Sequence, residues 1–268
     1  MKQRSPAVGT QTSAPPPSQA ILNFYAAPSA MTSPGRHAAL FARLPREPAA
    51  IARIVQGLLI YEHVAREFYG VAIPEARRNE SHIRPLERML DALLALDGRP
   101  LDVARPEEKR LVGICRHFTL LAVAMMRAQG IAARARVGFG AYFNPGFFED
   151  HWVCEYWNAA EGRWVLVDAQ LDEVWKGRLR PDFDVLDVPR DRFLTAADAW
   201  DLCRQGKADA PKFGIIFGGF RGLWFVAGNL VHDLSALNKA ELLPWDVWGA
   251  RPQVNATFDD DQIAFFDR

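Results

Sequence analysis

Residues 115–129, Cys-Arg-His-Phe-Thr-Leu-Leu-Ala-Val-Ala-Met-Met-Arg-Ala-Gln, constrain the fold more than any other segment. They are rich in strong helix formers and apolar on nearly every side, and Gly130 stands where a helix places its left-handed C′ residue. A helix with no broad polar face must lie at the centre of the molecule, with other elements packed around it. Gly113 and Ile114 lead into it, so Cys115 falls in the first turn. There, unpaired backbone N–H groups and the positive end of the helix dipole favour a thiolate over a thiol and offer donors to an oxyanion.

The next strong signal is a hairpin. His151-Trp-Val-Cys-Glu-Tyr-Trp157 is dense in aromatic and β-branched residues, Asn158 to Gly162 carries turn chemistry, and Arg163-Trp-Val-Leu-Val-Asp168 resumes the strand pattern. A turn centred near Ala159 and Ala160 would set His151 against Asp168, Val153 against Leu166 and Glu155 against Trp164. His151 and Asp168 then share a face, and the carboxylate can hold one imidazole N–H while the other nitrogen serves the Cys115 thiol. That is the arrangement of a thiol nucleophile, its base and the group that orients the base.

Four stretches together carry a family resemblance: Gly113-Ile-Cys115-Arg-His-Phe, Gly130-Ile-Ala-Ala-Arg-Ala-Arg-Val-Gly-Phe-Gly140, Asp150-His151-Trp-Val-Cys-Glu-Tyr-Trp and Trp164-Val-Leu-Val-Asp168. Over roughly residues 105 to 172 the chain resembles the transglutaminase-like core of the papain-like cysteine-enzyme superfamily, with the bacterial-type domain the nearest pattern. The resemblance implies an α+β fold, a central helix packed on an antiparallel sheet, and assigns the family's nucleophile, base and acid to Cys115, His151 and Asp168. It implies acyl transfer or hydrolysis at an amide or thioester without a cofactor. The rivals are a peptidase or amidase with water as acceptor, and a non-catalytic binding module on the same fold.

Other residues near the motif each have two readings. Arg116 opposes the helix dipole, so it needs a carboxylate partner or meets an anionic group of a substrate. Tyr142 and Phe143 lie in a stretch, Ala141 to Asp150, read as a loop whose aromatics wall an acyl-binding cleft or simply anchor the loop; Trp152 is a further candidate contact. His117 cannot share a helix face with Cys115 and reads as structural. No glutamine occupies the stretch immediately before Cys115 to donate to an oxyanion, and the polar cluster Asn79-Glu-Ser-His82-Ile-Arg84 is the candidate, with helix capping as its alternative. Cys154 falls on the opposite strand face from His151, Cys203 on a short amphipathic helix, and no spacing suggests a metal site.

Lysine plus arginine and aspartate plus glutamate number 32 each, so no global field favours nucleic acid or an anionic membrane. The expected partner is an amide- or thioester-bearing peptide, protein or small molecule. Three cysteines and a start that lacks a continuous apolar run suggest the cytoplasm. The expected organisation is a flexible tail over 1–20, a helical extension over 21–104, the core over 105–176 and a largely helical extension over 177–268. Ser33 to Gly70, Ile83 to Leu96, Ala196 to Gln205 and Leu223 to Leu243 read as helical, and Gly214 to Asn229 as a buried turn entering a helix. Asn229, His232 and Asp233 on that helix border a cleft or face solvent.

Overall fold

The structure, a computed structural model, describes residues 16–268, so most of the expected tail lies outside the described residues. The first half comprises α1 (Gln19–Ala26), α2 (Pro48–Leu58), β1 (Leu59–Tyr61), α3 (Ala65–Tyr69), α4 (Leu86–Leu96), β2 (Leu111–Gly113) and α5 (Cys115–Ala128). The second half comprises β3 (Ala133–Asn144), β4 (Phe147–Asn158), β5 (Arg163–Val167), α6 (Glu173–Leu179), β6 (Phe193–Thr195), α7 (Ala196–Arg204), β7 (Phe213–Ile215), β8 (Phe220–Arg221), α8 (Leu223–Leu237) and α9 (Asp260–Phe266).

Helix α5 is the hub, as its composition demands: every side chain from Cys115 to Arg127 is buried. Gly130 terminates it at φ 76°, with its N–H on the Arg127 carbonyl at 2.9 Å and the Ile131 N–H on the Met126 carbonyl at 3.0 Å. One side of α5 meets Ile51, Val55 and Leu58 of α2 and Leu86, Met89, Leu90 and Leu93 of α4. Its other side meets Ala133, Ala135 and Val137 of β3 and Trp152 and Cys154 of β4. Each fully buried aliphatic side chain of this kind contributes about 1.5–3 kcal/mol, so the hub holds the two helical layers and the sheet as one unit.

The main sheet has the order β6-β3-β4-β7-β8, and β5 also pairs with β4. One edge of β4 therefore carries two neighbours, β5 antiparallel over 154–158 and β7 parallel over 148–149. The fold is α+β, with a central helix on a mainly antiparallel sheet and helices from both ends packed around it. The sheet is completed by β6, β7 and β8, which come from the region expected to be largely helical. Likewise β1, from the expected N-terminal helical region, pairs in parallel with β2 and sets Tyr61 opposite Gly113.

Several local expectations need correction. The stretch 141–150 is mostly strand: β3 runs to Asn144 and β4 starts at Phe147, because Pro145 and Gly146 (φ 77°) turn the chain sharply. Helix α8 stops at Leu237, since Lys239 adopts φ 65° and the Ser235 hydroxyl bonds the Ala240 carbonyl at 2.7 Å. The turn before α8 is an exposed β7–β8 hairpin, with Phe217 at 86% exposure.

Gly138 shows how closely strands must approach beside the candidate site. A Cβ there would lie 2.1 Å from the Leu194 carbonyl oxygen and 2.8 Å from the Thr195 Cα, both backbone atoms of β6. Gly138→Ala is expected to cost about 1–3 kcal/mol by forcing β3 and β6 apart. Urea unfolding checks this; an unchanged midpoint would show that the strands separate without cost.

Candidate active site

His151 sits in β4 opposite Gly138 of β3, and Asp168 follows the last residue of β5. The hairpin register is two residues from the expected one: Glu155 pairs with Leu166 rather than with Trp164. The cause is a longer turn over 159–162, in which the Asn158 side chain accepts from the Ala160 and Glu161 N–H groups and Gly162 takes φ 64°. Because side chains alternate with period two, a slip of two keeps Asp168 on the His151 face as a diagonal neighbour. Their side chains meet, with His151 Nε2 2.8 Å from Asp168 Oδ2.

Asp168 is itself tightly held. Its Oδ2 also accepts the Tyr142 hydroxyl at 2.7 Å, its Oδ1 accepts the Gln170 N–H at 3.1 Å, and its own N–H donates to the Val185 carbonyl at 2.8 Å. Tyr142 stays protonated as the donor: burial first, then the Asp168 charge, push its phenol well above its ordinary range. The imidazole is packed by the Phe143 ring at 4.8 Å and flanked by Tyr142 and Phe193. With Nε2–H committed to the carboxylate, Nδ1 is the nitrogen left for a partner.

Cys115, at the first position of α5, retains 5% exposure and lies near enough to His151 for its thiol to act on the ring's protonation. Burial alone would lower the His151 pKa; the Asp168 charge, its hydrogen bond and the neighbouring Cys115 raise it instead to about 10. The imidazole therefore carries its second proton at neutral pH. His117 braces the helix start. Its Nδ1 accepts the Ile114 N–H at 3.3 Å, its Nε2 reaches the Ile83 carbonyl at 2.9 Å, and burial keeps it neutral, with a pKa of about 3.

Cys115, His151, Asp168, Tyr142 and Phe143 thus converge, and Arg116 and Trp152 do not. Arg116 is fully buried, with its guanidinium on the Glu241 and Ile83 carbonyls, so its partners are backbone oxygens rather than a carboxylate or a ligand. Trp152 is 1% exposed and packs in the core under α5. The polar cluster before α4 is structural. Asn79 is exposed, the Ser81 hydroxyl bonds the Arg78 carbonyl, and Glu80 accepts the Val112 N–H of β2 at 2.8 Å. Cys154 is core, against Met126 on the opposite face from His151.

Sequence reasoning left Asn229 between a cleft and solvent and gave no role to Asp150, Glu149 or Tyr61. Asn229 of α8 is buried rather than solvent-facing and donates to Asp150 at 2.7 Å, directly before His151. Burial raises the Asp150 carboxyl to about 6 and that of Glu149 to about 7. Tyr61 of β1 packs against the core cluster that contains Cys115. The adjacency of Asp150 to His151 was visible in sequence; the contribution of α8 and β1 was not, because both arrive through distant segments. His232 and Asp233 are also buried, Asp233 bonding Arg136 and the Val137 N–H. Among the described residues no His, Cys, Asp or Glu group is arranged to hold a metal, and no helix is long and apolar enough to cross a membrane.

The core is α+β, with Cys115 at the start of a central helix and the His151–Asp168 pair on the adjoining sheet, and its class is transglutaminase-like. Residues 94–169 match the model of the transglutaminase-like superfamily, and the chain carries a transglutaminase-like domain. No curated protein matches the sequence. Among solved structures, a proposed cysteine protease from Cytophaga hutchinsonii is similar at 19% identity and a TM-score of 0.39, over 68% of this chain and 50% of that one. The chain thus spans half the length of that protein.

Proposed function

We propose that the protein catalyses acyl transfer or hydrolysis at an amide or thioester, with Cys115 as nucleophile, His151 as proton carrier and Asp168 as the group that orients it. The observation that carries this reading is the 2.8 Å His151–Asp168 contact, together with the nearby Cys115 thiol that helps raise the His151 pKa. The Cys115 sulfur attacks the acyl carbon, forming a C–S bond while the carbonyl electron pair moves to oxygen. Collapse breaks the bond to the leaving nitrogen or sulfur, which takes the proton from His151. His151 then removes a proton from water or an amine, whose attack on the thioester releases the acyl group and returns the cysteine. Tyr142 and Phe143 fix the carboxylate and ring, so both are positioning residues in this scheme.

The test is the rate of iodoacetamide alkylation of Cys115, followed by peptide mass mapping, because Cys203 is also partly accessible. Wild type is expected to label rapidly at neutral pH and His151→Ala about 10²-fold more slowly, the scale of a lost acid–base partner. Equal rates in the two proteins would sink the assignment. A glutamine-containing peptide incubated with and without a primary amine then separates amide formation from hydrolysis.

A further inference from the structure

An acyl-transfer site needs a donor for the oxygen that becomes negative as the tetrahedral intermediate forms, and the polar cluster before α4 does not supply one. Strand β1 brings a different side chain. Its parallel pairing with β2 sets Tyr61 opposite Gly113, two residues before Cys115. Tyr61 points, like Leu59, toward the core cluster that contains Cys115. Its ring lies 5.8 Å from Trp175, which is 5.9 Å from Phe143, itself 4.8 Å from His151, so these aromatics form an arc that runs from Tyr61 to His151.

The Tyr61 hydroxyl differs from the other tyrosine hydroxyls that reach inward. Those of Tyr25, Tyr69 and Tyr142 bond Leu237, Asp172 and Asp168, whereas that of Tyr61 forms no hydrogen bond among the described residues. Burial, then the charges of Cys115, Asp150, Glu149 and Glu62, push its phenol well above the ordinary value, so it remains a donor across the range in which the enzyme would work. Trp175 offers the other unbonded N–H in the arc, but its Nε1 is sealed from solvent, which leaves Tyr61 as the donor open to a substrate.

We infer that Tyr61 is a catalytic residue, its hydroxyl donating to the acyl oxygen as that oxygen becomes an oxyanion, alongside the Cys115 backbone N–H. This rests on the proposed acyl chemistry at Cys115. It assigns the side-chain donor to β1 rather than to the segment before α5, and it gives the β1–β2 pairing a chemical purpose: the pairing fixes the hydroxyl relative to the cysteine.

Two reagents separate this role from the rest of the site. Iodoacetamide alkylates sulfur by displacing iodide, with no oxyanion. p-Nitrophenyl acetate acylates it through a tetrahedral intermediate: the C–S bond forms, the carbonyl pair moves to oxygen, and collapse expels p-nitrophenolate. Tyr61→Phe is expected to lower the burst rate of acylation about 10²-fold, the scale of one lost oxyanion donor, while alkylation stays within about 2-fold of wild type. Tyr61→Met, a second side chain without a donor, repeats the measurement if the phenylalanine variant folds poorly, with far-UV circular dichroism as the check. Acylation at the wild-type rate in a folded variant overturns the inference while leaving the nucleophile assigned. An equal fall in both reactions also overturns it, since Tyr61 then acts on the thiol itself. Slow alkylation of wild type, indifferent to His151→Ala, overturns the underlying acyl-transfer reading instead.

Discussion

Asp168→Asn is expected to reduce acylation of Cys115 by p-nitrophenyl acetate on the order of 10³–10⁴-fold while leaving the fold intact, the scale seen when a triad aspartate becomes an amide. The carboxylate accepts from three donors, His151 Nε2, the Tyr142 hydroxyl and the Gln170 N–H, and all three need an acceptor. An asparagine has one acceptor oxygen, so its NH₂ must face one of these groups. If it faces Nε2, that nitrogen must be unprotonated and the ring proton moves to Nδ1, which then cannot take a proton from the thiol. The pH dependence of stability gives an independent reading. The folded His151 pKa, about 10, is raised above the unfolded value of about 6.5, so its contribution is complete below about pH 6.5 and is lost as pH rises through about 10. The gap in Tm between wild type and Asp168→Asn should therefore be widest near pH 6.5 and close toward pH 10. A gap that widens with pH would mean that His151 is not held protonated by Asp168.

What the sequence made legible follows from how local each feature is. Helix α5 and its stop at Gly130 are written in one continuous segment, and so are the order and faces of Cys115, His151 and Asp168. The hairpin register was misjudged because Asn158 organises a four-residue turn, yet the error was even and so left His151 and Asp168 on one face. Composition around residues 141–150 suggested a loop, although only Pro145 and Gly146 fall outside the two strands, whose register shifts between Gly140 and Asn144. Whether a side chain near the cysteine faces a cleft or the core was not legible. Arg116 donates to carbonyls contributed by residues 83 and 241, and Trp152 is covered by α5. Tyr61 could not be found by scanning before Cys115, since only the parallel β1–β2 pairing brings it there. A strand partner so far along the chain leaves no periodic signal beside the motif it serves.

Glu155→Leu is expected to destabilise the fold by about 3–5 kcal/mol, the cost of removing one partner from a buried ion pair. Glu155 is wholly buried on the His151 side of β4 and holds three arginines: Arg134 at 2.6 Å, Arg136 at 3.3 Å and Arg190. Burial alone would raise its pKa, but Arg136, Arg134 and Arg190 together hold it at about 2. A carboxyl held there in place of about 4.3 in the unfolded chain corresponds to about 3 kcal/mol, in line with the mutational figure. The arginines are not equally exposed to the loss. Arg136 keeps Asp233, and Arg134 keeps its place over the Trp164 ring at 4.0 Å, so the substitution leaves both partly compensated and favours the lower end of the range. At about 2–4 °C per kcal/mol for a chain of this size, the expected fall in Tm is about 10 °C at neutral pH. Because the folded pKa is depressed, this stability is present above about pH 4.3 and is lost as pH falls through about 2, so the difference from wild type should shrink in acid. Since Glu155 lies on the same strand face as His151 without touching it, alkylation of the folded variant at Cys115 should match wild type. A variant as stable as wild type would mean that the three arginines reach solvent without Glu155, and the strand would then owe its rigidity to packing alone.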